Sequence, residues 1–173
     1  MSGDGTNVGD EVCIKEECFY VISSTDDSVT MLSKMNITLS SNPVQNSSAT
    51  TIEFSSTHYW GIIVSNYPAY VYDENSYLWE YVENYKMYLD TFGVSIGEAR
   101  LITYEELESL GCAGNRCSDS PEWVYATSYW SGSAGSIVDL WSVRNTNYFS
   151  LYDCSKGNFL GIRPVITISR DYL

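Results

Sequence analysis

Histidine is nearly missing from this chain. The single one, His58, sits between Thr57 and Tyr59 in a polar stretch, and Ser–His or Cys–His catalysis would have to rest on it with no supporting context. Basic residues are scarce too: 9 Lys and Arg stand against 22 Asp and Glu, a formal net charge of -13. Such a surface repels phosphate backbones and anionic lipid, which argues against a nucleic-acid partner and against membrane contact by the domain itself. No apolar run approaches the roughly 18 residues of a spanning helix. No glycine-rich phosphate loop occurs. The opening Met1-Ser2-Gly3-Asp4-Gly5 lacks the basic and apolar regions of a signal peptide. If the protein is exported, its export or anchor segment therefore lies upstream. The acidic pairs Glu16–Glu17, Asp26–Asp27 and Glu105–Glu106 fall at turns or helix starts, where carboxylates cap and solubilise. The expectation is a protein that is not an enzyme and carries no cofactor.

What is present is enough for one core. The chain has 173 residues, 44% of them hydrophobic and 14% aromatic, which suits a single domain over residues 10–173 behind a short leading linker, 1–9. Cys13 and Cys18 flank the turn Lys15–Glu16, and Cys112 and Cys117 bracket Ala113-Gly114-Asn115-Arg116. Local pairs of this kind suggest two small disulfide-closed loops and hence an oxidising compartment, outside the cell or on its surface. The alternative is a zinc site of four thiolates, whose usual spacing is tighter. Cys154 is left over as a free thiol.

Strand signals cover Glu11–Ile14, Cys18–Ile22 and Val29–Leu32 around the Asp26–Asp27 turn, and residues 36–58 read as a long polar loop. Asn36-Ile37-Thr38 and Asn46-Ser47-Ser48 match the glycosylation acceptor pattern. Leu78, Val82, Tyr85, Leu89 and Phe92 recur at helical spacing, with Asp73 or Asn75 to cap the start and Gly93 to end it. A strand at Ala99–Ile102 leads to Thr103-Tyr104-Glu105-Glu106, a capping box that opens a second, brief helix before Gly111. Further strands are expected at Trp123–Ala126, Trp141–Val143, Tyr148–Leu151 and Ile162–Ile168, with Pro164 marking an edge or a bulge in the last. Strands, two helices, short strands with long loops and a closing strand make an α+β layout.

Gly9-Asp10-Glu11-Val12-Cys13-Ile14 with Glu17-Cys18-Phe19-Tyr20-Val21-Ile22, then Tyr129-Trp130-Ser131-Gly132-Ser133-Ala134, then Gly161-Ile162-Arg163-Pro164-Val165-Ile166, resemble bacterial surface domains of C-type-lectin-like fold. The resemblance implies paired terminal strands, two helices packed beside them and a loop-rich ligand face. The Glu-Pro-Asn or Gln-Pro-Asp loop and the Trp-Asn-Asp of calcium-dependent sugar binders do not occur, and the acids are scattered, so no metal is expected. The same fold hosts an oxidase family that generates formylglycine through a cysteine pair, but the cysteines here look too local for that role.

A narrower resemblance is to the variable proteins of diversity-generating retroelements, whose hypervariable stretch lies near the C-terminus of this fold. Adenine-directed change of asparagine codons of the AAC type cannot produce Glu, Gln, Met, Lys or Trp; residues 131–160 hold none of the first three, although the rest of the chain holds 17. Trp141 and Lys156 would be fixed positions. An ordinary Ser/Asn/Gly-rich β-surface would show the same deficit. The tract has the chemistry of a binding surface either way, with rigid Tyr among adaptable Ser, Asn and Gly. Candidate contacts to a protein or other surface ligand are Ser136, Ile137, Asp139, Ser142, Arg144, Asn145, Asn147, Ser150, Tyr152, Asp153 and Ser155, over anchors Trp141, Val143, Phe149 and Phe159. The sequence thus points to an exported receptor- or adhesin-like domain, with a pilin-like or surface-layer subunit as the structural alternative.

Overall fold

The computed structural model describes residues 6–46, 62–63, 70–74, 76–135, 139–153 and 160–173. The architecture is α+β. The N-terminal meander forms β1 (Glu11–Ile14), β2 (Glu17–Ser24) and β3 (Ser28–Ser33), each antiparallel to the next. Later come the short antiparallel pair β4 (Ile62–Ile63) and β5 (Tyr70–Val71), helix α1 (Trp79–Asp90), β6 (Ile96–Leu101) and helix α2 (Tyr104–Ser109). A second antiparallel sheet follows, of β7 (Tyr129–Ala134), β8 (Asp139–Val143) and β9 (Phe149–Asp153). The last strand, β10 (Pro164–Ser169), returns to the first sheet and lies between β3 and β6, giving the order β1-β2-β3-β10-β6.

This five-stranded sheet separates two cores, and strand alternation assigns the side chains. Phe19, Val21, Val29, Met31, Ile166 and Ile168 face α1, which contributes Val82, Tyr85 and Leu89. Ile22, Leu32 and Val165 face the other way, toward α2, Tyr129, Val143 and Phe149. The helical stripe read from the sequence is thus the buried one. Gly93 ends α1 at φ +84, a conformation costly for any residue with a Cβ. The α2 capping box is complete, Glu106 N–H donating to the Thr103 hydroxyl while the Glu106 carboxylate accepts from Thr103 N–H. Arg100 adds two bonds to the same carboxylate at 2.6 and 2.9 Å. Burial would raise the Glu106 pKa, but the bonds from Arg100 and Thr103 outweigh it and hold the carboxyl below its usual value.

Two disulfides, Cys13–Cys18 and Cys112–Cys117, close the loops expected from their spacing and fit an oxidising, extracellular-type environment. Several expectations need correction. Trp123–Ala126 is not a strand, because Pro121 at φ -57 starts a 3-10 turn over Glu122–Tyr125. Pro164 marks neither an edge nor the bulge; it is the first residue of a central strand, where its missing N–H is tolerated, and the register shift falls at Thr167/Ile168. Helix α1 begins later than its proposed caps, with Leu78 at the N-cap and no side-chain cap bond; Asp73 instead accepts from Ser76 in the preceding turn through its carbonyl. Glu17 is buried, not solubilising, and accepts from the Tyr85 hydroxyl at 2.7 Å and the Gln45 N–H at 3.0 Å. Asn36 is 1% exposed and bonds Ser128 and Thr127, so that acceptor motif is inaccessible in the fold. His58 and Cys154 lie outside the described residues, as does the predicted loop beyond Asn46 up to 58.

Arg163, immediately before β10, is wholly buried and pairs with no carboxylate among the described residues. Its guanidinium donates to the carbonyls of Ser33 (2.7 Å), Val124 (3.0 Å), Trp123 (2.8 Å) and Lys34 (3.3 Å), with the Tyr129 ring 5.0 Å away. Desolvation pulls its pKa down, yet a guanidinium stays charged at neutral pH. Arg163→Lys keeps the charge but not the fork, leaving buried carbonyls unpaired. It should lose about 3 kcal/mol in urea unfolding; a loss below about 1 kcal/mol would show that the fork is not needed.

Candidate functional site

The predicted contact residues converge on the β8–β9 hairpin. The strands pair Asp139 with Asp153, Leu140 with Tyr152, Trp141 with Leu151, Ser142 with Ser150 and Val143 with Phe149. Arg144 and Tyr148 close the turn by the bond from Arg144 N–H to Tyr148 O at 2.8 Å, and Asn147 N–H returns to Arg144 O at 2.9 Å. Asn147 takes φ +61, a left-handed conformation that Asn tolerates better than most residues. Asn145, Thr146 and Tyr148 are exposed; Asp139, Arg144, Asn147, Ser150 and Tyr152 are half-buried.

Two expectations fail here. Ser142 is fully buried and donates to Ser150 O at 3.1 Å, so it is a frame residue and not a contact. Trp141 is half-buried, in an aromatic group with Tyr104 and Phe149 whose ring centroids lie 4.7 to 5.4 Å apart. The predicted alternation is correct, with Ser142 and Trp141 on opposite faces, but both faces of this sheet carry packed layers. Leu140 joins the α1 core while Val143 and Phe149 join the α2 core. Exposure is therefore concentrated at the turn, with Leu151 exposed as well on the face that buries Phe149. Ser136, Ile137, Ser155 and Phe159 lie outside the described residues, and Asp153 is described by its backbone pairing alone.

The turn is braced from outside the tract, which sequence reasoning missed. The Cys112–Cys117 loop docks against it: Cys117 N–H donates to Asn147 O at 2.8 Å, and Phe149 N–H donates to Asn115 O at 3.1 Å. The exposed Arg116 guanidinium lies 3.9 Å from the Tyr148 ring centre and donates to Asn147 Oδ1 and to the Tyr148 hydroxyl, both at 2.9 Å. On the hairpin itself the Arg144 guanidinium stacks 4.3 Å from the Tyr152 ring. An arginine inside a disulfide loop was the available signal, but nothing in the spacing says what it meets.

Asn145 also borders an open groove of about 700 Å³ lined by Tyr20, Lys34, Trp123, Tyr125 and Thr127. Tyr20 and Trp123 stack at 4.8 Å, and Lys34 is bonded to Glu11 at 2.8 Å, which raises its pKa. Beside the hairpin, the neighbouring Glu108 carboxylate raises the pKa of the Tyr104 hydroxyl. Glu11 groups spatially with Cys13 and Cys18, but both sulfurs are used in the disulfide, which removes them as metal ligands. The assembled chemistry is hydrogen-bonding and aromatic, with two guanidinium groups. No family model, curated protein or solved structure matches the chain.

Replacing Cys112 and Cys117 together by Ser should cost about 2 kcal/mol through the unfolded state. It should also speed amide exchange at Phe149 more than at Ile166. The Cys13/Cys18 double variant should leave that ratio unchanged; an unchanged ratio in both variants would show that the loop does not brace the turn.

Proposed function

We propose that the chain is an exported ligand-binding domain, receptor- or adhesin-like, of C-type-lectin-like fold and without catalytic activity. Its displayed surface is the β8–β9 turn together with the loop that carries Arg116. The observation carrying this reading is the combination of exposed Asn145, Thr146 and Tyr148 with a backbone held by a disulfide loop beneath them. A surface of Arg, Tyr, Asn and Ser on a fixed frame is pre-organised, and binding then loses little conformational freedom. Arg and Tyr are also the residue types that most often dominate interfaces. The deficit of Glu, Gln and Met from 131 to 160 fits diversification of this surface as well as it fits an ordinary polar β-face, and Leu140, Ser142, Val143 and Phe149 would be its constant floor.

The test is an array of purified surface proteins and glycans. Replacing Arg144, Asn145, Thr146 and Tyr148 together by Ala should abolish the array members bound by the native domain, with a stability loss under about 2 kcal/mol. Asp27→Ala with Asp171→Ala, at the far end of the first sheet, should leave the pattern intact. An unchanged pattern in the hairpin variant would reject this surface.

A further inference from the structure

The chain has five arginines, and four of them have acceptors. Arg163 holds four carbonyls, Arg100 binds Glu98 and Glu106, Arg116 binds Asn147 and Tyr148, and Arg170 donates to Thr25 O. Arg144 has none: among the described residues its guanidinium makes no hydrogen bond and no ion pair, and its Nε is buried without a partner. Buried N–H groups in native proteins nearly always have an acceptor. What holds the side chain is the Tyr152 ring, at 4.3 Å. The register places Tyr152 opposite Leu140 and Ser150 opposite Ser142, so the guanidinium reaches back from the turn along the face of the strand pair.

We propose that Arg144 is the receptor for a single carboxylate group of the ligand, with Tyr152 as the platform that keeps the guanidinium in place. This rests on the hairpin being the ligand surface and names the chemistry it recognises. The planar fork of a guanidinium matches a carboxylate in two parallel bonds, and with Nε buried the fork Arg144 offers is its Nη1–Nη2 pair, which stacking on an aromatic ring does not use. The net charge of -13 narrows the class. A polyanion is repelled by the rest of the surface, whereas at physiological salt, screening over about 8 Å lets one isolated carboxylate respond chiefly to the cation beside it. Arg116 stands beside the same turn, on the disulfide loop, but its Nη1 and Nη2 donate to Asn147 and Tyr148.

Side-chain NMR of isotopically labelled protein reads the site directly. Acetate, glucuronate and N-acetylglutamate are titrated at ionic strength held constant with sodium chloride, following the Arg144 Nε–H and the Tyr152 ring signals. A saturable shift at Arg144 and Tyr152, at least tenfold larger than at Arg170, is expected with at least one of the three. Arg144→Lys should lose the saturation while its amide spectrum shows an intact fold, and Tyr152→Phe should retain it. A lower half-saturation for glucuronate than for N-acetylglutamate assigns a sugar-borne carboxylate, and the reverse a peptide-borne one. No saturable change with any of the three, or equal changes at Arg144, Arg116 and Arg170, overturns the proposal. Saturation at Arg144 beside an array pattern unmoved by the hairpin variant would keep the anion site and reject the wider reading; the opposite pair of results would reject the anion site alone.

Discussion

The buried guanidinium of Arg163 is the contact on which the rest of the molecule depends. It stands where β10 begins and bonds the backbone where β3 ends, at Ser33 and Lys34, and the 3-10 turn at Trp123 and Val124. One side chain therefore links the first sheet to the segment that leads into the second. A charge taken out of water is costly, and only a full set of acceptors makes it tolerable. Four carbonyls supply that set. The Tyr129 hydroxyl also donates to Val124 O, at 2.6 Å, so the start of β7 is tied to the same point. Burial pushes that hydroxyl's pKa up to about 12, which keeps it a donor across the physiological range.

With that junction made, the five-stranded sheet can carry a core on each face, and the second sheet has a packed layer on each of its own. This explains why a Ser- and Asn-rich tract forms an ordered hairpin. Its floor is apolar or hydrogen-bonded, and its turn is held by a loop whose ends are joined covalently. Polarity rises from Leu140 and Val143 toward Asn145 and Thr146 as packing partners run out. A surface supported in this way can change residue types at its tip with little effect on the core, which is the property a recognition surface needs.

Much of the fold was legible because its signals are local. The stripe from Leu78 to Phe92 has the period of a helix, Thr103 and Glu106 stand at the spacing of a capping box, and the two cysteine pairs flank short turns. The apolar run in β10 is too apolar to lie alone, and it pairs with β3 of the N-terminal meander; its second neighbour, β6, was not legible. What could not be read depended on distant partners. Arg163 bonds backbone carbonyls, which no residue type spells out. Ser142 looks like a surface residue because its alternation is right, but alternation does not reveal that both faces are covered. Trp123 to Tyr125 have strand-forming side chains, and the proline before them decides otherwise. Of the candidate site, the hairpin was legible and its brace from Arg116 was not, since their contact spans 31 residues.

The β8–β9 turn, as proposed, is a tolerant display surface on an intolerant frame. Saturation substitution of residues 139–152, scored for folding by protease resistance of the displayed domain, tests it most directly. Asn145, Thr146, Tyr148 and Leu151 should accept nearly every residue type, while Leu140, Ser142, Val143 and Phe149 should accept few. Equal intolerance at Asn145 and Thr146 would make the turn part of the core and contradict the claim.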